Sequence, residues 1–189
     1  MKSEYMLWLT NAVDGVGGEL LQKACLALTV AAQNKKSIYM AGNGGSAVIA
    51  EHCCADLTKG TYFNGQPPIR AMALSCNTSL STAIANDFGY ENVFMKQLEY
   101  YAEEGDVFIA ISSSGNSPNV CDAAEFAKKR NLVSIGFTGF SGGRLRDIVD
   151  ISLHVPFSNY GVVEDSHQIL LHVLSQAIIH ERGKMEAGN

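Results

Sequence analysis

Five short apolar segments, each closed off by turn residues and separated by stretches of helical spacing, constrain this chain more than any other feature. They are KSIYMA (Lys36 to Ala41), IRAMALS (Ile69 to Ser75), DVFIAIS (Asp106 to Ser112), LVSIGFT (Leu132 to Thr138) and DISLHV (Asp150 to Val155). Between and after them the spacing predicts helices over Ser46 to Leu57, Ser79 to Ala85, Glu91 to Ala102, Asn119 to Lys129 and Val162 to His180. Strands that alternate with helices build right-handed crossovers, so the chain reads as α/β with a parallel sheet covered on both faces.

Before the first strand, Tyr5 to Gln33 has an apolar helical stripe broken at Gly15, Gly17 and Gly18, which gives two helices or one broken helix. No repeat, low-complexity tract or linker divides the rest. One domain over residues 1–189 is expected, with 1–35 as a helical region for subunit packing and 36–182 as sheet core and final helix. The closing ERGKMEAGN reads as a polar tail.

At 189 residues, 47% hydrophobic and 17% charged, the chain has material for a real core. A formal charge of -5 argues against nucleic acid or an anionic membrane as partner. Five cysteines, odd in number and without a CxxC pair, suit free thiols in a reducing compartment. The opening MKSEYMLWLTNAVDG has no apolar run that would serve as signal peptide or membrane span, and a cytoplasmic protein is expected.

Open parallel sheets bind ligands beyond the carboxyl ends of their strands. Two loops there have the composition for an anion: Gly42-Asn43-Gly44-Gly45-Ser46 and Ser112-Ser113-Ser114-Gly115-Asn116-Ser117. Glycines admit the backbone, serines add hydroxyl donors, and the following helix presents its positive end. Neither loop carries the lysine of GxxxxGK[ST] or the pattern GxGxxG, so a small phosphate monoester suits them better than a nucleotide. Taken singly, the first also suits a tight turn and the second a serine N-cap.

GNGGS, ANDFGYENVF, EGDVFIAISSSGNSPNV and FTGFSGG, in that order, resemble the sugar isomerase (SIS) domain family, and within it the phosphoheptose isomerase branch. That resemblance implies a three-layer αβα flavodoxin-like fold that assembles as a homotetramer. It implies phosphate held by Ser46, Ser112, Ser114 and Ser117, with Asn43 and Gly44 beside the sugar. Asp87 would line the substrate pocket, although Asn-Asp before Phe-Gly is also an ordinary turn. The activity implied is isomerisation of sedoheptulose 7-phosphate to an aldose phosphate that feeds heptose into surface polysaccharide.

His52 and Asp56 are four residues apart on one predicted helix, and Glu164 and His172 eight apart on another, so each pair shares a face. Two histidines and two carboxylates would suit zinc or another divalent ion able to polarise a sugar carbonyl. The bland readings are a solvated His/Asp pair and a core histidine within ILLHVL. The resembled family has His and Glu at the positions of His52 and Asp56, and Gln and His at those of Glu164 and His172. These residues carry catalysis there and, in several members, zinc.

Asp56 and Glu164 depart from that pattern and leave one carboxylate more than it has. Asp56 or Glu164 is expected as base and His172 as acid of a cis-enediol mechanism. A sugar-phosphate sensor, or a tetrameric scaffold that binds a replication initiator, is the alternative, against which the presence of His172 speaks. His167 is expected at an interface or the surface, Cys53 and Cys54 as packing thiols, and AKKR as a cationic helix end.

Overall fold

A computed structural model describes residues 1–63 and 65–187, with side chains described to 183. Its five strands are β1 (Ser37–Ala41), β2 (Arg70–Ala73), β3 (Val107–Ser112), β4 (Val133–Thr138) and β5 (Ile151–His154). They pair in parallel in the order β2-β1-β3-β4-β5. Each expected apolar segment is therefore a strand. The wholly buried β3 sits at the centre, where a strand must be apolar on both faces.

Alternation within the strands sorts the core into two layers. Ile38 and Met40 of β1, with Ile109 and Ile111 of β3, face one side. There they meet α1 (Lys2–Asp14), α2 (Gly18–Gln33), α3 (Gly45–Ala55) and α8 (Tyr160–Ala187). Tyr39, Ala41, Phe108 and Ala110 face the other side, against α4 (Thr78–Phe88), α5 (Val93–Tyr101), α6 (Pro118–Lys129) and α7 (Gly143–Ile148). The result is the expected three-layer αβα arrangement.

The N-terminal stretch is two helices, interrupted at the glycines as expected. Tyr5 ties α1 to α8 by donating to Asp165 Oδ2 at 2.7 Å, and that hydrogen bond to a carboxylate pushes the phenol up to about 12. FTGFSGG leads through a turn into the short α7, which opens on Gly143. One expectation is corrected. The polar tail is overturned: α8 runs on to Ala187, and Arg182 is buried, donating to the carbonyls of Thr61 at 2.9 Å and Pro67 at 3.2 Å. A guanidinium with carbonyl partners can be covered where an unpaired one could not. Residues 188 and 189 of that tail lie outside the described residues.

Candidate active site

In a sheet of this order the chain leaves β1 toward one edge and β3 toward the other, and the crevice opens between those two strands. Both serine loops spring from it. Ser46 stands in the first turn of α3, Ser117 caps α6 with Pro118 at its first position, and Tyr160 opens α8. All three line one cavity of about 160 Å³, together with Asn43, Ser112, Ser113, Ser114 and Glu164. Three helix N-termini and a ring of hydroxyls converge on it, with no lysine or arginine among the lining residues, which suits a phosphate held by neutral donors.

The hydroxyls differ in how they are engaged. Ser112 and Ser117 lie 3.1 Å apart, oxygen to oxygen, and Ser114 Oγ accepts from the Asn116 amide at 3.2 Å. Ser113 also lines the cavity, and its Oγ is buried without a hydrogen-bond partner. Asn43 is fixed by a reciprocal amide pair with Asn119, at 2.9 and 3.0 Å, and its Oδ1 also accepts from Tyr90 at 2.8 Å. Gly44 lies at the turn into α3, with φ of +54°. Asp87, by contrast, is exposed on α4 and accepts from Asn86 at 2.8 Å, away from the cavity lining.

A second group gathers where α3 ends. A π-helical turn, Asp56–Gly60, follows it, so Asp56 stands at the change of helix type, a feature frequent at functional sites. Asp56 Oδ2 is 3.4 Å from His52 Nε2 and 3.3 Å from His172 Nε2, and the two ring nitrogens are 3.4 Å apart. These near-equal edges fit a metal. Ligands about 2.0–2.1 Å from a tetrahedral ion stand roughly 3.3–3.4 Å from one another. Two imidazoles and a carboxylate are also a donor set that zinc accepts.

Glu164 is not gathered with these three. Its carboxylate lies against the α-carbon of Gly45, where a β-carbon would stand 2.6 Å from Oε2, so the glycine is what lets Glu164 reach the serine cavity. Along α8, Tyr160, Glu164, Gln168 and His172 follow at four-residue spacing and form one stripe from the cavity to the histidine cluster. Gln168 closes that stripe, with its terminal nitrogen 3.1 Å from His172 Nε2.

His167 corrects an expectation, for it is buried rather than at the surface or an interface. It lies edge-on to Phe137 and donates to the Thr138 carbonyl at 3.2 Å. Burial pushes the Cys53 thiol far up and the Cys54 thiol to about 12, so neither is a ready nucleophile.

With this geometry in place, the chain can be set beside known proteins. The profile described as the SIS domain matches residues 9–139. Phosphoheptose isomerase 2 of Campylobacter jejuni is 40% identical over 162 residues, 86% of this chain and 80% of that protein. The chain belongs to the phosphoheptose isomerase branch of the SIS domain family. The structure of phosphoheptose isomerase from Neisseria gonorrhoeae superposes with a TM-score of 0.85 at 32% identity, covering 93% of each chain. That from Francisella tularensis gives 0.87 at 28%, covering 94% of each.

Membership of this isomerase branch favours the enzyme over the sensor or scaffold. Reading the sequence of this branch member alone missed Ser113, Asn119, Tyr90, Tyr160 and Gln168. Ser113 lies within the second serine loop, and the four-residue spacing back from His172 was a signal for Gln168 and Tyr160. The partners of Asn43 come from remote segments and left none.

Proposed function

We propose that the chain converts sedoheptulose 7-phosphate to D-glycero-D-manno-heptose 7-phosphate through a cis-enediol. The observation that carries this reading is the single stripe on α8 that joins a phosphate-sized hydroxyl cavity to a His/Asp/His cluster. The phosphate would be bound by Ser46, Ser112, Ser114 and Ser117, with Asn43 and the Gly44 backbone beside the sugar. Asp87 is a pocket residue only if another subunit brings substrate to it.

His52, Asp56 and His172 would hold zinc, which when bound supplies polarisation of the sugar carbonyl. The proton that moves between the first and second carbons needs a carboxylate. Asp56 Oδ2 faces two imidazoles, whereas Glu164 stands free of that group at the cavity, and this supports Glu164 as the base. His172 is the acid where no cation takes its Nε2, and a ligand where one does; its loss removes turnover on either account.

Self-association as a homotetramer is supported by an apolar groove between α2 and α8, where Leu26, Val30 and Val173 are exposed. Among the described residues no helix is long and apolar enough to cross a membrane, which fits the proposed cytoplasmic setting. The test is proton NMR of purified protein with sedoheptulose 7-phosphate, with added zinc and with a chelator. New aldose anomeric signals support the reading, and an unchanged spectrum at every zinc level would sink it.

A further inference from the structure

We infer that the cavity along the free edge of β5 is a second anion site, suited to a phosphate monoester that carries a partly apolar body. The inference does not depend on the isomerase reading.

The sheet order leaves β5 with a neighbouring strand on one side only. Ile151 and Leu153 belong to the core that α1, α2 and α8 cover, so by the two-residue period Ser152 and His154 point to the opposite face. That face meets α7. The connection from α1 to α2 closes the strand's open edge, where a β-carbon on Gly15 would stand 3.1 Å from Pro156 Cγ. Between these parts lies a cavity of about 520 Å³, against about 160 Å³ for the serine cavity.

Three of its lining residues hold polar groups that, among the described residues, lack partners. Arg146 makes no hydrogen bond or ion pair. His154 has Nδ1 3.0 Å from the Thr138 hydroxyl and leaves Nε2 unused. Ser152 Oγ is buried without a hydrogen bond, an arrangement that native structures rarely keep and that a ligand oxygen would relieve. The Arg146 stem is held in place, because it lies across Gly142, where a β-carbon would collide with its Cδ.

These groups suit an oxyanion. Burial first, and then the Arg146 charge, lower the His154 pKa from its ordinary 6.5, so the ring is neutral at neutral pH. The tautomer in which Nδ1 accepts from Thr138 puts the ring hydrogen on Nε2. A guanidinium fork engages two oxygens, and the imidazole and hydroxyl serve a third, which favours phosphate over carboxylate. Asp150, the acid in the lining, is held on Ser134, where Oδ2 accepts from the amide at 2.9 Å and the hydroxyl at 2.7 Å. Val16, Leu20, Val149 and Pro156 make the rest of the wall apolar. A bare phosphate would leave that wall wet, whereas an aliphatic or aromatic body would cover it.

Phenyl phosphate is the probe, titrated calorimetrically into the parent, Arg146→Met, Arg130→Met and a Ser112→Ala/Ser117→Ala double variant that weakens the serine cavity. The last is also combined with Arg146→Met. Circular dichroism checks folding, and proton NMR follows sugar conversion, which Arg146→Met should leave as in the parent. Two sites per chain are expected in the parent and one in the double variant. Arg146→Met should weaken that remaining site about tenfold or more, by the worth of hydrogen bonds to a charged group, while Arg130→Met should change nothing. Inorganic phosphate and benzoate should each bind the double variant more weakly than phenyl phosphate does. The inference is overturned if adding Arg146→Met to the double variant leaves its affinity unchanged, if Arg130→Met loses as much, or if benzoate or bare phosphate binds as tightly as the probe. A parent with a single site that Arg146→Met does not touch overturns it too, and leaves the serine cavity as the phosphate site.

Discussion

Asp56 Oδ2 lies 3.3 Å from His172 Nε2, although one residue closes α3 and the other sits midway along α8. The contact is side chain to side chain, and both groups are partly exposed, so neither has a structural duty that explains its position. As a surface ion pair it would contribute at most about 1 kcal/mol.

That weakness makes His172→Gln informative. The replacement is expected to abolish turnover, measured as aldose formation, while the melting temperature shifts by no more than a few degrees, since the lost surface pair is worth about 1 kcal/mol or less. Inorganic phosphate should still compete for the serine cavity. Full activity in this variant would remove His172 from the mechanism.

Ser113 gives a prediction with two signs. Its hydroxyl is buried and unpaired, and the residue lines the serine cavity. A hydrogen bond to a charged group is worth about 1.5–3 kcal/mol, so Ser113→Ala should weaken binding of a sugar phosphate about tenfold to a hundredfold. Removing an unsatisfied buried group leaves stability unchanged or raised. Calorimetric binding and thermal melting check the two halves. Equal affinity in the variant would mean that the hydroxyl does not face the phosphate.

The frame was legible in the sequence because buried parallel strands are continuous apolar runs, and Ile109 and Ile111 leave little choice of structure. α7 was not, because its six residues open on Gly143 beside the left-handed Gly142 and carry too little periodicity to stand out. His52 and Asp56 were paired correctly by local helical spacing. The placement of Glu164 was beyond such reasoning: whether a carboxylate joins a cluster two turns away or leans on Gly45 depends on how α3 and α8 cross. Arg182 shows the same limit, since its partners Thr61 and Pro67 come from a remote loop.

His167 makes stability depend on pH. Burial, the leading cause, brings its pKa down from 6.5 to about 4, against the Thr138 hydrogen bond, and nearby His154 lowers it a little further. Its Nδ1 is buried without a partner, so a proton there would find no acceptor. With the folded value below the unfolded one, the contribution is complete above about pH 6.5 and is lost as pH falls toward 4. Between pH 6.5 and 5 it amounts to about 2 kcal/mol at 1.36 kcal/mol per pH unit. Urea unfolding should show that fall in the parent, and a shallower one in His167→Leu, where only other groups titrate. Equal slopes would mean that His167 takes up its proton in the folded protein.

Gly115 carries the geometry of the serine loop. Its φ is +68°, and a β-carbon there would run into the Gly142 carbonyl at the foot of α7. The same glycine's own carbonyl accepts from the Leu145 amide at 2.9 Å, so the loop cannot back away without breaking the seam. Gly115→Ala therefore meets both a left-handed backbone cost of about 1–2 kcal/mol and a backbone clash. The expected result is a loss of more than 2 kcal/mol in urea unfolding. Phosphate affinity should fall with it, because Ser112, Ser114 and Ser117 are aimed by this turn. Gly44→Ala gives strain without collision: its φ of +54° comes with a ψ of -122°, outside the left-handed region and costlier for an L-residue, while nothing stands within 4 Å of the added carbon. If Gly115→Ala were as stable as the parent, the approach of Gly115 to Gly142 would not be what holds the loop.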